Sequence, residues 1–222
     1  MQKLNEIKAV VFDMDGVIFD TERMYLDAWI QVADKYGIEN VEQSAKSCIG
    51  LSVVDSVALM KRIYGEDFDV EKYHLEIEDI IRNRMNEHGL PIKAGAVETL
   101  DYLKSIDFTV GLASSTKYDR VLRNLERAGF VKYFSVIMGG DMISHSKPDP
   151  EIYIRVCEKL GVKPENTVAI EDSKNGIISA FKGGLMPLMV PDLNEPTGEL
   201  IEMTCGKFDN LIEVKDFLKE HI

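Results

Sequence analysis

The stretch Ile7-Lys8-Ala9-Val10-Val11-Phe12-Asp13-Met14-Asp15-Gly16 decides how this chain reads. Its first six residues form a short apolar run rich in β-branched side chains, which suits a strand covered on both faces. The run opens directly onto two acids and a glycine. In an extended segment residues i and i+2 project to one side, so Asp13 and Asp15 are expected to present their carboxylates together. Like charges that close raise one another's pKa unless a cation intervenes, which implies a metal, a shared proton, or both. Gly16 permits a tight turn. Taken alone, the Asp-x-Asp pair reads equally well as a cap for the next element of the chain.

Outward from this stretch the same kind of run recurs: Phe108 to Ala113, Phe134 to Met138, Thr167 to Ile170 and Leu188 to Val190. Helix-period segments separate the later runs: Ala94 to Ser105, Tyr118 to Ala128 before Gly129, Pro150 to Leu160 before Gly161, and Asn175 to Lys182 before Gly183. Asp149 followed by Pro150 reads as an N-cap and a first helical residue. Strands alternating with helices predict an α/β fold, a Rossmann-like three-layer core around a central parallel sheet.

The interval between the first and second strands is too long for one crossover helix and contains no strand pattern. Met24, Tyr25, Ala28, Trp29, Val32, Ala33 and Tyr36 make one apolar stripe ending at Gly37. Ser52 and Asp55 resemble a capping box for a helix to Tyr64, and Asp69 can cap a helix bearing Tyr73, Ile77, Ile80, Ile81 and Met85. Residues 20–90 are therefore expected to form an inserted all-helical cap domain, with 1–19 and 91–222 as the α/β core. The crossings near Phe19 to Thr21 and Glu87 to Pro91 would be its hinges.

The whole chain has 222 residues, 45% hydrophobic and 29% charged, which excludes disordered and collagen-like classes. Its formal charge of −12 disfavours nucleic acid and anionic membrane surfaces as partners, since both require a basic face. Between Asp20 and Glu87 there are 15 acids against 8 Lys and Arg, read as a solvated face. The three cysteines, Cys48, Cys157 and Cys205, lie far apart and suggest neither a disulfide framework nor a zinc site. With no signal-like N-terminus and no apolar stretch near the roughly 20 residues of a membrane helix, a cytoplasmic location is expected.

Ligands of open α/β sheets bind beyond the carboxyl ends of the strands, and four of the five exits carry chemistry. The first has Asp13 and Asp15. The second has Ser114-Ser115-Thr116-Lys117, whose hydroxyls and N–H groups suit phosphate oxygens, although alone it is a helix cap. The third leads to Ser146-Lys147-Pro148-Asp149-Pro150, and the fourth to Glu171-Asp172-Ser173. One side chain of that second acidic pair suits direct metal contact and its neighbour contact through water. Four independent caps would not be expected to add up to a cation-and-phosphate site.

Asp13-Met14-Asp15-Gly16-Val17, Leu112-Ala113-Ser114-Ser115, Lys147-Pro148 and Glu171-Asp172-Ser173 with Gly176-Ile177 together resemble the motifs of the haloacid dehalogenase superfamily. The match runs in order along the whole chain. A helical insertion directly after the first strand is similar to the branch holding β-phosphoglucomutase and many small-metabolite phosphatases. The resemblance implies Asp13 as the nucleophile that becomes an aspartyl phosphate and Asp15 as the acid and base for the leaving alcohol and the water. It implies Mg²⁺ held by Asp13, the Asp15 carbonyl, Asp172 and, through water, Glu171. Ser114 and the Ser115 N–H would bind phosphoryl oxygens, Lys147 would supply positive charge, and Lys117 and Thr21 would face the substrate. Dehalogenases of the superfamily lack the second aspartate and the metal, so Asp15 and the Glu171-Asp172 pair argue for phosphoryl transfer.

The mutases are resembled further in Asp20-Thr21, Trp29 and Ser114-x-x-Lys117. Where they carry a histidine after the Asp-Thr pair this chain has Tyr25, and where their cap loop offers an arginine it has Val53. Hydrolysis of a small phosphorylated metabolite is therefore expected, with mutase activity or an idle ligand-binding protein as alternatives. The loop Cys48 to Val54 reads equally as substrate contact and as helix-packing surface. A monomer is compatible with all of this.

Overall fold

A computed structural model describes residues 6–49, 51 and 53–222. Six strands, β1 (Ala9–Phe12), β2 (Thr109–Ala113), β3 (Val136–Met138), β4 (Thr167–Glu171), β5 (Met186–Met189) and β6 (Gly206–Lys207), form one sheet. All neighbours are parallel, in the order β3-β2-β1-β4-β5-β6. The fold is the Rossmann-like α/β arrangement that the alternating pattern predicts.

Pleating decides the layers. Val10 and Phe12 of β1 join one apolar cluster with Val110, Leu112, Val168 and Ile170, while Val11 points the other way into a cluster with Ala113 and Ala169. Helices α1 (Thr21–Tyr36), α2 (Val41–Cys48), α3 (Val53–Tyr64) and α4 (Val70–His88) precede the second strand. After them come α5 (Ala96–Ser105), α6 (Tyr118–Ala128), α7 (Glu151–Leu160), α8 (Lys174–Lys182), α9 (Gly198–Glu202) and α10 (Leu211–His221). Leu100, Leu103, Val121, Leu125, Val214 and Leu218 bring α5, α6 and α10 onto the first sheet face. Ile152, Tyr153, Val156 and Ala180 bring α7 and α8 onto the second.

From β1 the chain moves outward to β3, then returns to β4 on the opposite side of β1. Phe12 is flanked by Leu112 on one side and Ile170 on the other. This reversal opens a crevice beyond the carboxyl ends of β1, β2 and β4, where the candidate residues sit.

Several boundaries shift. The first, second and third strands start later than the apolar runs, with a 3₁₀ turn at Val131–Tyr133 taking up the approach to β3. β5 starts two residues earlier and contains Pro187, a residue that discourages a strand assignment. β6 has two residues and no apolar run, and α2, α9 and α10 add to the helices expected from apolar spacing. α7 begins at Glu151 instead of Pro150, with the Asp149 carboxylate accepting the Glu151 N–H at 2.9 Å. Asp69 does cap α4, accepting the Lys72 N–H at 3.1 Å. The expected Ser52 start of α3 lies outside the described residues, as does Gly50.

Helices α1 to α4 close around their own apolar cluster of Leu26, Trp29, Val32, Met60, Ile77 and Ile81. The two crossings pair with each other: the Asp20 N–H donates to Pro91 and the Lys93 N–H donates to Ile18, each at 2.9 Å. A third tie comes from the segment after β5. Lys93 meets Asp192 at 2.6 Å, Leu193 packs into the bundle's apolar cluster, and the Asn194 amide donates to the Lys46 carbonyl in α2 at 3.1 Å. Among the described residues no helix is long and apolar enough to cross a membrane.

Leu193→Ala combined with Asn194→Ala should loosen the bundle without disturbing the sheet. Limited proteolysis should cut within residues 21–88 several-fold faster, while urea unfolding shows a stability loss of no more than about 1–2 kcal/mol.

Candidate active site

Lys147 stands at the centre of the crevice, buried to 7% exposure. Its ammonium lies 2.6 Å from Asp13 Oδ1, 2.6 Å from Glu171 Oε1, 3.0 Å from the Ala113 carbonyl and, more loosely, 3.4 Å from the Tyr153 hydroxyl, so its three N–H donors are fully engaged. Burial opposes its charge, but Asp13 and Glu171 outweigh burial and hold Lys147 more firmly protonated than a free lysine. The Tyr153 hydroxyl donates to the same Glu171 oxygen at 2.6 Å. The second Glu171 oxygen accepts from the Ser173 hydroxyl and the Asp172 N–H, both at 3.2 Å.

Asp13, Glu171 and Asp172 are all buried, and each offers an oxygen within 4.8 Å of the others. Burial pushes the Asp13 carboxyl up to about 8; Lys147 opposes the shift, while Glu171 and Asp15 add to it. Asp172 is raised well above the usual carboxylate range by burial first, then by Glu171 and Asp13. Among the described residues no Lys or Arg pairs with Asp172.

Asp15 is held differently. Strand geometry ends at Phe12, so the i, i+2 expectation fails to place its carboxylate among the other three. Thr21 donates to Asp15 Oδ1 at 2.7 Å, and Thr116 and Ser114 donate to Oδ2 at 2.9 and 3.3 Å. Ser114 also accepts the Thr116 N–H at 3.0 Å. Thr21, expected to face substrate, thus spends its hydroxyl on Asp15. Ser115 and Lys117 lie exposed at the mouth, at the start of α6. Behind them the backbone runs so close to Gly139 and Gly140 that a Cβ at either would overlap it.

A profile of the haloacid dehalogenase-like hydrolases matches residues 10–190. The chain belongs to this family. A phosphorylated carbohydrates phosphatase of Thermotoga maritima is 34% identical over 96% of this chain and 99% of its own. Hexitol phosphatase B of Escherichia coli is 26% identical over 98% and 100%. The crystal structure of a β-phosphoglucomutase from Clostridium difficile superposes with a TM-score of 0.77 at 25% identity, covering 97% and 96%. This hydrolase acts on phosphate esters.

The acid set of this hydrolase fits a divalent cation. Three buried carboxylates share a single lysine, leaving a formal charge two units negative inside the protein. Hard, clustered oxygens suit a hard divalent ion. Two glycines make the room: a Cβ at Gly16 would overlap the Asp172 carboxyl, and one at Gly176 would overlap that of Glu171. A second group, His145, Asp149 and Glu151, also brings ligand atoms together, but Asp149 already accepts the Glu151 N–H at the start of α7, and Glu151 accepts the Ser144 and His145 N–H groups and pairs with Arg155.

Three side chains of the hydrolase site make contacts that no sequence pattern announces. Tyr153 has the pattern of one more apolar position of a helix, and Thr116 that of part of a cap. Glu22, half-buried in the first turn of α1, has the pattern of a helix-start acid. Burial, then Asp15, Asp13 and Asp192, push it up to about 8, and it forms no ion pair among the described residues.

Carboxyls raised from about 4 to about 8 bind protons in the folded state that the unfolded chain has released, so they reduce stability as pH rises through that window. Metal-free protein should therefore melt at a lower temperature at pH 8.5 than at pH 6. Millimolar Mg²⁺ should raise the melting temperature more at pH 8.5, as calorimetry can check.

Proposed function

We propose that this hydrolase removes phosphate from phosphorylated sugars or sugar alcohols by way of a phosphorylated Asp13, with Mg²⁺ as its cation. The observation that carries the reading is the division between two aspartates only two residues apart. Asp13 is buried against Lys147, whereas Asp15 stands in a cage of three hydroxyls. Relatives along nearly the full length bear the names of carbohydrate and hexitol phosphatases, which supports the substrate class.

The chemistry arises from those two environments. Lys147 holds one oxygen of Asp13 and orients the carboxylate for attack on phosphorus. As the bond from Asp13 to phosphorus forms and the bond from phosphorus to the leaving oxygen breaks, Asp15 passes a proton to the departing alcohol. A water then attacks phosphorus, Asp15 takes its proton, and the acyl phosphate bond breaks to regenerate Asp13. Ser114 and the Ser115 N–H would receive phosphoryl oxygens, with Lys147 offsetting charge throughout. Asp13, Asp172, the Asp15 carbonyl and Glu171 through water would hold Mg²⁺, which neutralises charge so that one anion can approach another.

The bundle of residues 20–90 would serve as the cap, closing over the mouth to exclude water before attack. Tyr25 of α1 packs against the bundle's apolar cluster and is hydrogen-bonded to Arg120, which also pairs with Glu78 of α4 at 3.6 Å. Val53, where the mutases offer an arginine, is 72% exposed and brings no charge. These residues favour release of phosphate over its transfer to a second position of the sugar.

Asp13→Asn should abolish phosphate release from a panel of sugar phosphates, with and without Mg²⁺. Asp15→Ala should lose about 10²–10⁴-fold on alkyl esters and far less on p-nitrophenyl phosphate, whose leaving group needs no proton; equal losses would remove the acid role. With glucose 1-phosphate, free phosphate should appear faster than glucose 6-phosphate, and the reverse order would establish the mutase.

A further inference from the structure

Tyr153 is the third residue of α7 and has no exposed surface. Its apolar neighbours Ile152, Val156 and Cys157 fill the same sheet face without any hydroxyl, so packing there does not require one. The Tyr153 hydroxyl nevertheless lies 2.6 Å from Glu171 Oε1, the oxygen that Lys147 also holds at 2.6 Å. The Lys147 ammonium sits 5.0 Å from the centre of the Tyr153 ring. The Lys147 ammonium makes its shortest contacts to Asp13, Glu171 and Ala113 and reaches the Tyr153 oxygen only at 3.4 Å, while the Tyr153 proton goes to Glu171 Oε1 as that oxygen's second donor.

We infer that Tyr153 is a positioning residue. Its hydroxyl fixes the rotation of the Glu171 carboxylate and takes part of the charge on Oε1, so that Lys147 remains shared with Asp13. The other oxygen is steered by the Ser173 hydroxyl and the Asp172 N–H, and Gly176 admits the carboxylate from behind. Without the Tyr153 donor, Glu171 would turn toward Lys147 for its only strong partner on that side. Two things would then degrade together: the arrangement of the acid trio toward a cation, and the hold of Lys147 on Asp13. The inference rests on the reading of that trio as a cation site. Outer partners of metal-facing carboxylates commonly matter by 10–100-fold in affinity or rate.

Tyr153→Phe tests this because it keeps the ring, the packing and the face toward Lys147. Mn²⁺ binding to resting protein, measured by electron paramagnetic resonance without substrate, should weaken about tenfold. With saturating Mg²⁺, kcat on a sugar phosphate should fall about tenfold while KM stays within about twofold. Thr99→Ala is the control, since it removes other buried bonds, to the Gly95 and Leu211 carbonyls at 2.7 and 2.8 Å, where α5 meets α10. It should lower the melting temperature and leave Mn²⁺ affinity unchanged. Mn²⁺ affinity within about twofold of wild type in Tyr153→Phe overturns the inference, whatever the melting temperature does. Failure of the wild type to bind Mn²⁺ would bring down the cation reading and this inference together.

Discussion

The double contact of Lys147 with Asp13 and Glu171 organises everything else at the crevice. It joins three separate parts of the chain: the end of β1, the turn before α7 and the end of β4. Placing such charges inside a protein is costly, and their mutual attraction often does no more than offset the desolvation. Stability therefore does not explain the cluster, especially since Asp172 adds a further buried carboxylate with no lysine of its own among the described residues. Phosphoryl transfer does explain it, because preorganised charge in a dry site is what that reaction needs.

The same crevice keeps its two neighbouring aspartates in different company. Asp13 meets a full positive charge, whereas the side-chain partners of Asp15 among the described residues are hydroxyls. Under the proposed mechanism the two carboxylates have different tasks, attack on phosphorus and carriage of a proton, and surroundings this different suit such a division. Thr21, at the first position of the helical bundle, is one of the hydroxyls on Asp15. The bundle is thereby tied directly to Asp15, in addition to being held by the two crossings and the segment after β5.

The acidity of the chain reaches further inward than its total of −12 suggests. Glu22 and Asp192 extend the negative field from the exterior to the edge of the acid trio, since both act on Asp172. Lys147 alone cannot make this crevice attractive to a phosphate ester. A divalent cation would reverse the local balance, and screening over roughly 8 Å at physiological salt limits what the outer surface contributes.

Strand and helix order, the long helical interruption and the positions of Asp13, Lys147, Glu171 and Asp172 are all legible in one dimension. Apolar periodicity marks buried elements, and exits of parallel strands are places where acids have no packing role. β5 is obscured by Pro187, and β6 by having only two residues. Tyr153 and Glu22 are not legible because each obeys a local rule, as a buried helix residue and a first-turn acid; Thr116 stands in a legible hydroxyl cluster, but nothing there announces its bond to Asp15. The Tyr153 and Thr116 contacts span 18 and 101 residues, and Glu22 feels Asp192 from the far end of the chain, which no local pattern encodes. Sequence determined which residue types stand at the ends of which strands. Only the tertiary structure decided which carboxylate receives the lysine and which the hydroxyls, because that depends on where β1 ceases to be extended and on what the returning chain brings beside it.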